Sequence, residues 1–392
     1  MRVPAWPPAV ALVMASAALV AGCGSSTTPS TGGPAAEAPP GGAPFLATSL
    51  VTAAGTWALA VMGGSVASRN DFWELFVRPA GSTQWRLVTP PGSADNGGLV
   101  LADAGGQSLI TGFRPSQYLT YTPLITTRDG GQAWSTAGPL DAAVANVPDA
   151  LAAGPNTGQL LALLTTGAAK LATAPGYTRW TVLTTQRAMA ATPPGRRCGL
   201  RGLTAAAFTP SGMPLLGGTC SRLGTVGIFA DRNGTWQSVG PPLPVTLARQ
   251  AIAVVRLTRT ANRTTALLRV GNGRAASLLA AWSADNGGHW ALSPPLPLNG
   301  AKLASTSFGP AGGAAIVLGG NRAHAIIGPG SAWRTLPVLP SGTATLALGA
   351  DGTFDALAVH RNRLTVWQLS PHTSTWHAGQ AMYVPIQYGS SG

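Results

Sequence analysis

The sequence predicts an all-β chain made of one recurring four-stranded unit, and three observations carry that expectation. The chain has 392 residues, 45% hydrophobic and only 9% charged, with 51 glycines and 33 prolines. Small apolar residues broken so often by Gly and Pro suit short strands and turns, not long helices. Seven tryptophans (Trp85, Trp134, Trp180, Trp236, Trp290, Trp333 and Trp376) each follow a turn and open a short strand. Their spacings are 49, 46, 56, 54, 43 and 43 residues. Two of the turns share one pattern: a Ser or Thr, with Asp, Gly and Trp two, four and seven positions later. These are Thr127, Asp129, Gly131 and Trp134, and Ser283, Asp285, Gly287 and Trp290.

The amino terminus reads as an address. Arg2 precedes an apolar run from Ala9 to Leu19 that ends at Val20-Ala21-Gly22-Cys23. A positive start, a short apolar core and small residues at the cut describe a secretory signal peptide. The run is shorter than the ~20 residues that a membrane span needs, and Pro4, Pro7 and Pro8 interrupt its start. Residues 1–22 are therefore expected to be the signal peptide. A Cys after small residues resembles the bacterial lipobox, with Val where Leu is commoner, and the resemblance implies diacylglycerol on Cys23. Two acyl chains anchor a protein stably without a transmembrane helix. Residues 24–44 hold Gly, Ser, Thr, Pro and Ala and can bury no core, so they read as a flexible tether.

From residue 45 to 392 the same unit recurs: apolar strand, Gly-rich turn, strand, loop, strand, turn, then the marker Trp at a fourth strand. In the last unit the strands are Thr345–Leu348, Ala356–Val359, Leu364–Trp367 and one at Trp376; in the first they are Phe45–Leu50, Trp57–Val61, Phe72–Val77 and Trp85–Val88. A period of ~40–50 residues matches the four-stranded blade of a β-propeller. Seven markers give seven blades, with six as the alternative if one unit is an insertion. A repeat of this kind grows as one body, which overrides the two or three domains that length alone suggests.

The shared turn is a tight hairpin by its chemistry. An Asp carboxylate accepts hydrogen bonds from backbone N–H groups of the turn, Gly supplies positive φ, and Trp offers a large apolar face to its neighbour. Asp231 and Trp236 keep a degenerate version, with the Gly at 234. The motif is identified as the Asp-box, or BNR repeat, and the chain resembles the propellers that carry it: bacterial sialidases, sortilin-type ectodomains and photosystem assembly factors. The resemblance implies that the box residues are structural, at the outer rim and away from the central pocket.

Two cysteines remain after Cys23. Cys198 precedes one strand of a hairpin and Cys220 follows its partner, so the hairpin ends bring the two within disulfide range outside the membrane. The connection between the third and fourth units gathers Arg187, Arg196, Arg197 and Arg201 around Pro193-Pro194-Gly195. It is expected to form a loop on the channel face whose guanidiniums overhang the pocket mouth and bind an anionic partner, since Arg forks match carboxylate and phosphate oxygens. The formal charge of +13 fits such a partner, although an acid-poor, Arg-rich chain reaches that value without one. No block of like charge or aromatic–basic motif points to nucleic acid.

Catalytic signatures are sparse. A sialidase resemblance implies an Arg triad, a Tyr–Glu pair, an Asp acid and an early F/Y-R-I-P motif; Phe76-Val77-Arg78-Pro79 and Phe113-Arg114-Pro115 only approach it. Glu74 is the one Glu of the body, and none follows it to serve Tyr383 or Tyr388. No nucleophile elbow, phosphate loop or Cys–His pairing is present, and the five histidines show no metal-ligand spacing. The expectation is a non-enzymatic binding or scaffold module without metal or cofactor, lipid-anchored on the extracytoplasmic face of the cell membrane. An anionic envelope polymer or a membrane protein would be its partner. The alternatives are an accessory factor in assembling a membrane complex and a sialidase-like hydrolase.

Overall fold

The structure, a computed structural model, describes residues 47–62, 72–91, 99–105, 108–113, 124–136, 148–156, 158–260 and 262–385. The expected signal peptide of residues 1–22, Cys23 and the expected tether of residues 24–44 lie outside them. The described strands form antiparallel meanders. The first is β1 (Ala47–Thr52), β2 (Gly55–Met62), β3 (Phe72–Pro79) and β4 (Arg86–Leu87), and the second β5 (Leu99–Asp103), β6 (Leu109–Phe113), β7 (Leu124–Thr127) and β8 (Ser135–Thr136). The third is β9 (Ala150–Ala153), β10 (Leu160–Leu163), β11 (Ala168–Ala172) and β12 (Trp180–Thr185), followed by helices α1 (Gln186–Ala191) and α2 (Pro193–Cys198). The fourth runs β13 (Leu200–Phe208), β14 (Pro214–Cys220), β15 (Gly227–Arg232) and β16 (Thr235–Ser238). The fifth comprises β17 (Ile252–Thr260), β18 (Arg263–Val270), β19 (Ser277–Ser283) and β20 (Ala291–Leu292), with β21 (Leu296–Pro297) also pairing with β19. Last come β22 (Leu303–Phe308), β23 (Ala314–Leu318), β24 (Arg322–Ile326) and β25 (Arg334–Thr335), then β26 (Thr343–Leu348), β27 (Phe354–His360), β28 (Arg363–Leu369) and β29 (His377–Tyr383). The described residues thus hold seven four-stranded units, and each marker Trp stands within one residue of, or just inside, the start of a fourth strand.

The core explains why the units stay together. Among the described residues the buried apolar side chains fall into seven clusters, each shared by two neighbouring units. One combines Ala58, Phe76 and Trp85 of the first unit with Leu357, Leu364 and Val366 of the last, which closes the ring by packing. A short meander has two apolar faces and cannot cover either alone, so burial comes from stacking against neighbours. The marker tryptophans add directional links: the indole N–H groups of Trp290, Trp333 and Trp376 donate to Val239 O (2.6 Å), Ser293 Oγ (3.2 Å) and Pro337 O (3.3 Å). Each acceptor lies three or four residues after the marker Trp of the preceding unit.

The turns Thr127–Trp134 and Ser283–Trp290 do the same work. Asp129 Oδ1 accepts from the backbone N–H of Gln132 and Ala133 and from the Thr127 hydroxyl, while Thr127 Oγ1 accepts from Gly131 N–H at 2.9 Å. Asp285 repeats this with His289 N–H and the Ser283 hydroxyl, and Ser283 Oγ accepts from Gly287 N–H. Gly131 has φ +84°, and a Cβ there would stand 2.7 Å from Cβ of Val88 in the preceding unit. Gly287 meets Val239 in the same way at 2.8 Å. The glycine therefore serves both the positive φ and the contact between units.

Two seams depart from the expected set of separate blades. β14 pairs with β17 at Thr219–Ala253 and Cys220–Ile252, joining the fourth and fifth units into one sheet. β1 pairs in parallel with β22 over Ala47–Ser49 and Ser305–Ser307, so the first and sixth units also share a sheet. β26, the inner strand of the last unit, packs against that seam, and the hydroxyls of Ser49 and Ser307 both donate to Leu346 O. Small hydroxyl side chains let β1 and β22 approach closely while still satisfying a carbonyl in between.

Candidate ligand site in the central channel

The inner strands surround a cavity of about 410 Å³. Its walls are Thr48–Ala53, Val100–Asp103, Ala150–Ala153, Thr204–Ala206 with Phe208, Arg256–Thr260, and Phe308–Pro310, with Ala350 at the margin. Six inner strands contribute; β26, set behind the β1–β22 seam, does not. Consecutive residues line the wall because strand edges, not faces, look into the channel. On the longer strands β13, β17 and β22 only the later residues take part, so these strands run in one sense. The cavity belongs to their distal end, where each turns into its second strand. The proximal end is where the inner strands begin.

β17 supplies the charge. Its sequence, Ile-Ala-Val-Val-Arg-Leu-Thr-Arg-Thr, carries Arg256 and Arg259 after an apolar first half, with a register shift between Val254 and Arg256. A bulge re-aims the side chains that follow it. β13 has a similar shift at Leu203/Ala205, where Thr204 donates to Val254 O at 2.6 Å and ties the two bulges together. Burial in the channel lowers the Arg256 guanidinium to about 10, which leaves it a cation at neutral pH. Arg259 is lowered by burial, opposed by the nearby Asp103 carboxylate, and its Nε is buried without a hydrogen-bond partner. Burial raises Asp103, against the hydrogen bond from Gly105 N–H at 2.9 Å and the attraction of Arg259. The wall thus presents two half-buried guanidiniums, one carboxylate, and the hydroxyls of Thr48, Thr204, Thr258 and Thr260. Such a wall suits an anion with further hydrogen-bonding groups.

Arg187, Arg196, Arg197 and Arg201 do not line this cavity, which corrects the expectation that they overhang its mouth. Their connection is α1 and α2, not an irregular loop. Thr185 and Thr192 cap the two helices, accepting from Ala188 N–H and Gly195 N–H, both at 3.1 Å; Pro193 opens α2, and Gly199 ends it at φ +64°. Those caps, with Pro at the first turn and Gly after the last, were legible as helix signals. The pair leaves β12 and returns to β13 at the proximal end. All four arginines are exposed. Arg197 borders a separate open depression on the flank of the fourth unit, lined by Thr192, Pro194, Trp236 and Gln237 among others. The connection is fixed by the Cys198–Cys220 disulfide, with Cα atoms 5.1 Å apart.

Other sequence candidates also find places. Arg78, from the nearest match to the sialidase motif, is buried and pairs with Asp355 Oδ2 at 3.1 Å and Asp351 Oδ1 at 3.9 Å, across the closure between the first and last units. Glu74 Oε2 accepts from the Thr89 hydroxyl. His289 Nδ1 contacts Asp285 Oδ2 within the Ser283–Trp290 turn. Tyr383 ends β29 and so belongs to the last unit; Tyr388 lies outside the described residues.

No protein-family model matches the chain, and no curated protein sequence does. Its fold is similar to that of solved structures. YCF48 from Cyanidioschyzon merolae matches at TM-score 0.51 and 12% identity, over 86% of this chain and 99% of that one. A protein from Lactobacillus plantarum matches at TM-score 0.51 and 9% identity, over 84% and 96%. The chain is an all-β propeller.

Proposed function

We propose that the protein is a lipid-anchored extracytoplasmic binding module whose channel cavity takes a small anionic ligand. The observation that supports this reading is the pair Arg256 and Arg259 on β17, the second with an unpartnered buried Nε. A guanidinium held away from bulk water binds a carboxylate or phosphate more strongly than one on the surface, because its charge is less screened. Binding without turnover is favoured because, among the described residues, Asp103 is the only carboxylate on the wall, whereas hydrolysis of a glycoside uses two. The anchor reading rests on the sequence ending in Cys23; among the described residues no helix is long and apolar enough to cross a membrane.

Calorimetric titration of the full chain with succinate, citrate and inorganic phosphate tests the site. At least one probe should bind, and Arg256→Gln or Arg259→Gln should weaken it about tenfold or more, the worth of a charge-assisted hydrogen bond. Failure of all three probes, or binding untouched by both substitutions, overturns the reading. Release of fluorophore from a fluorogenic sialoside, lost in Asp103→Asn, would replace binding with hydrolysis. Metabolic labelling with an alkyne fatty acid should tag the wild type and not Cys23→Ser.

A further inference from the structure

The two ends of the propeller differ in charge. Of the eight described acids, six lie toward the distal end: Asp103, Asp129, Asp231, Asp285, Asp351 and Asp355. Several have a cation beside them, as Arg128 stands next to Asp129 and Arg232 next to Asp231. The other two, Glu74 and Asp149, are half-buried at the proximal end. That end, in the fourth to seventh units, displays Arg201, Arg222, Arg249, Arg274, Lys302 and Arg361, all exposed, from strand starts and turns. None of the six makes an ion pair among the described residues. Asp71, Asp95 and Asp141, in connections of the first two units, lie outside the described residues.

Exposed apolar side chains are more numerous at the proximal end, with Ile327 (72% exposed), just after β24, at the distal end. Leu223 (55% exposed), Val245 (80%), Val338 (78%) and Tyr383 (74%) are among the few exposed large hydrophobic side chains, and all four sit in proximal turns or at the end of a fourth strand. Cations interspersed with isolated apolar and aromatic side chains match a bilayer interface, where anionic headgroups meet the guanidiniums and the apolar tips enter the acyl boundary. The chain from Cys23 reaches the fold at Ala47, the first residue of β1, which pairs with the start of β22 and so arrives at this end. A chain of about 23 residues rich in Gly, Pro and Ser spans roughly 25 Å.

We propose that the proximal end of the fourth to seventh units rests on the anionic phospholipid of the membrane that holds the acyl anchor, so that the channel cavity opens away from the bilayer. The inference rests on the anchoring reading only for its orientation; the surface itself recognises phosphate headgroups through the arginines and buries Leu223, Val245 and Val338 beside them.

Arginine-selective dicarbonyl footprinting, read by mass spectrometry on the full-length protein with phosphatidylglycerol or phosphatidylcholine vesicles, tests it. Arg201, Arg222, Arg249 and Arg274 should be protected at least about threefold in phosphatidylglycerol and not in phosphatidylcholine, and the protection should vanish in 1 M salt. Arg128, Arg179 and Arg232, exposed at the distal end, should label equally in both. Changing Arg201, Arg222, Arg249 and Arg274 together to Ser, in the Cys23→Ser background, should lower flotation with phosphatidylglycerol vesicles about tenfold or more. Equal labelling of the two sets overturns the proposal, as does flotation of Cys23→Ser unaffected by the four substitutions. Failure of alkyne labelling with the protection pattern intact would instead remove the anchor and leave the lipid-facing surface standing.

Discussion

Arg78 is the charge that pairs across the ring closure, and replacing it by Met isolates its role. Its guanidinium sits 3.1 Å from Asp355 and 3.9 Å from Asp351, and the Asp355 side chain is almost fully buried. It also lies over the Trp85 ring, 6.0 Å from the centroid. Removing one partner of a buried pair leaves an uncompensated charge and costs about 3–5 kcal/mol. With an unfolding entropy of about 2.1 cal/mol/K per residue over roughly 340 residues, that loss lowers the melting temperature by about 4–7 °C if the ring melts as one unit. Burial raises the Asp355 carboxyl and Arg78 opposes that rise. In Arg78→Met the carboxyl should rise further, so the deficit should shrink as pH falls toward the ordinary aspartate value of 3.8 and grow as pH rises through the raised value. The double variant Arg78→Met with Asp355→Leu should recover most of the loss, since an apolar pair of similar volume needs no counter-charge. Differential scanning calorimetry on the four proteins of the cycle gives the coupling energy. A single Arg78→Met change within 1 kcal/mol of wild type, or strictly additive losses, would refute the argument.

Two further outcomes follow from the fold. Cys198→Ser should cost about 3 kcal/mol, because the bridge closes a loop with a sequence separation of 22 and chain-entropy arguments give roughly that value; denaturant titration with and without reductant should show the same difference. Asp129 and Asp285 are both lowered, first by backbone hydrogen bonds from Ala133 and His289 respectively. A lowered carboxyl stabilises above its unfolded value and loses that contribution as pH falls, so the melting temperature should drop below about pH 4. Asp129→Asn with Asp285→Asn should flatten that acid limb, and an unchanged limb would count against the assignment.

Much of the architecture was legible in the sequence because it depends on local chemistry repeated along the chain. The seven tryptophans mark fourth strands since a Trp after a tight turn can only open a strand against its neighbour, and Thr127–Trp134 and Ser283–Trp290 specify their own turn hydrogen bonds. Cys198 and Cys220 were within reach for the same reason, as they flank one hairpin. The caps Thr185, Thr192 and Gly199 are equally local, and they define two helices that the charge of the Arg-rich stretch does not signal.

The candidate site was not legible, because it depends on which strand edges meet across the channel. Nothing near Arg256 or Arg259 in sequence distinguishes them from Arg201 or Arg222; only the ring shows that the first pair faces the cavity and the others the opposite end. The β1–β22 seam is likewise a tertiary outcome. It joins residues more than two hundred positions apart through Ser49, Ser305 and Ser307, whose small size matters only once β26 packs against them. The sequence determined the unit and its turns, since those interactions span a few residues. The order in which edges close around a channel, and therefore the charge that faces the cavity, was decided by packing between units.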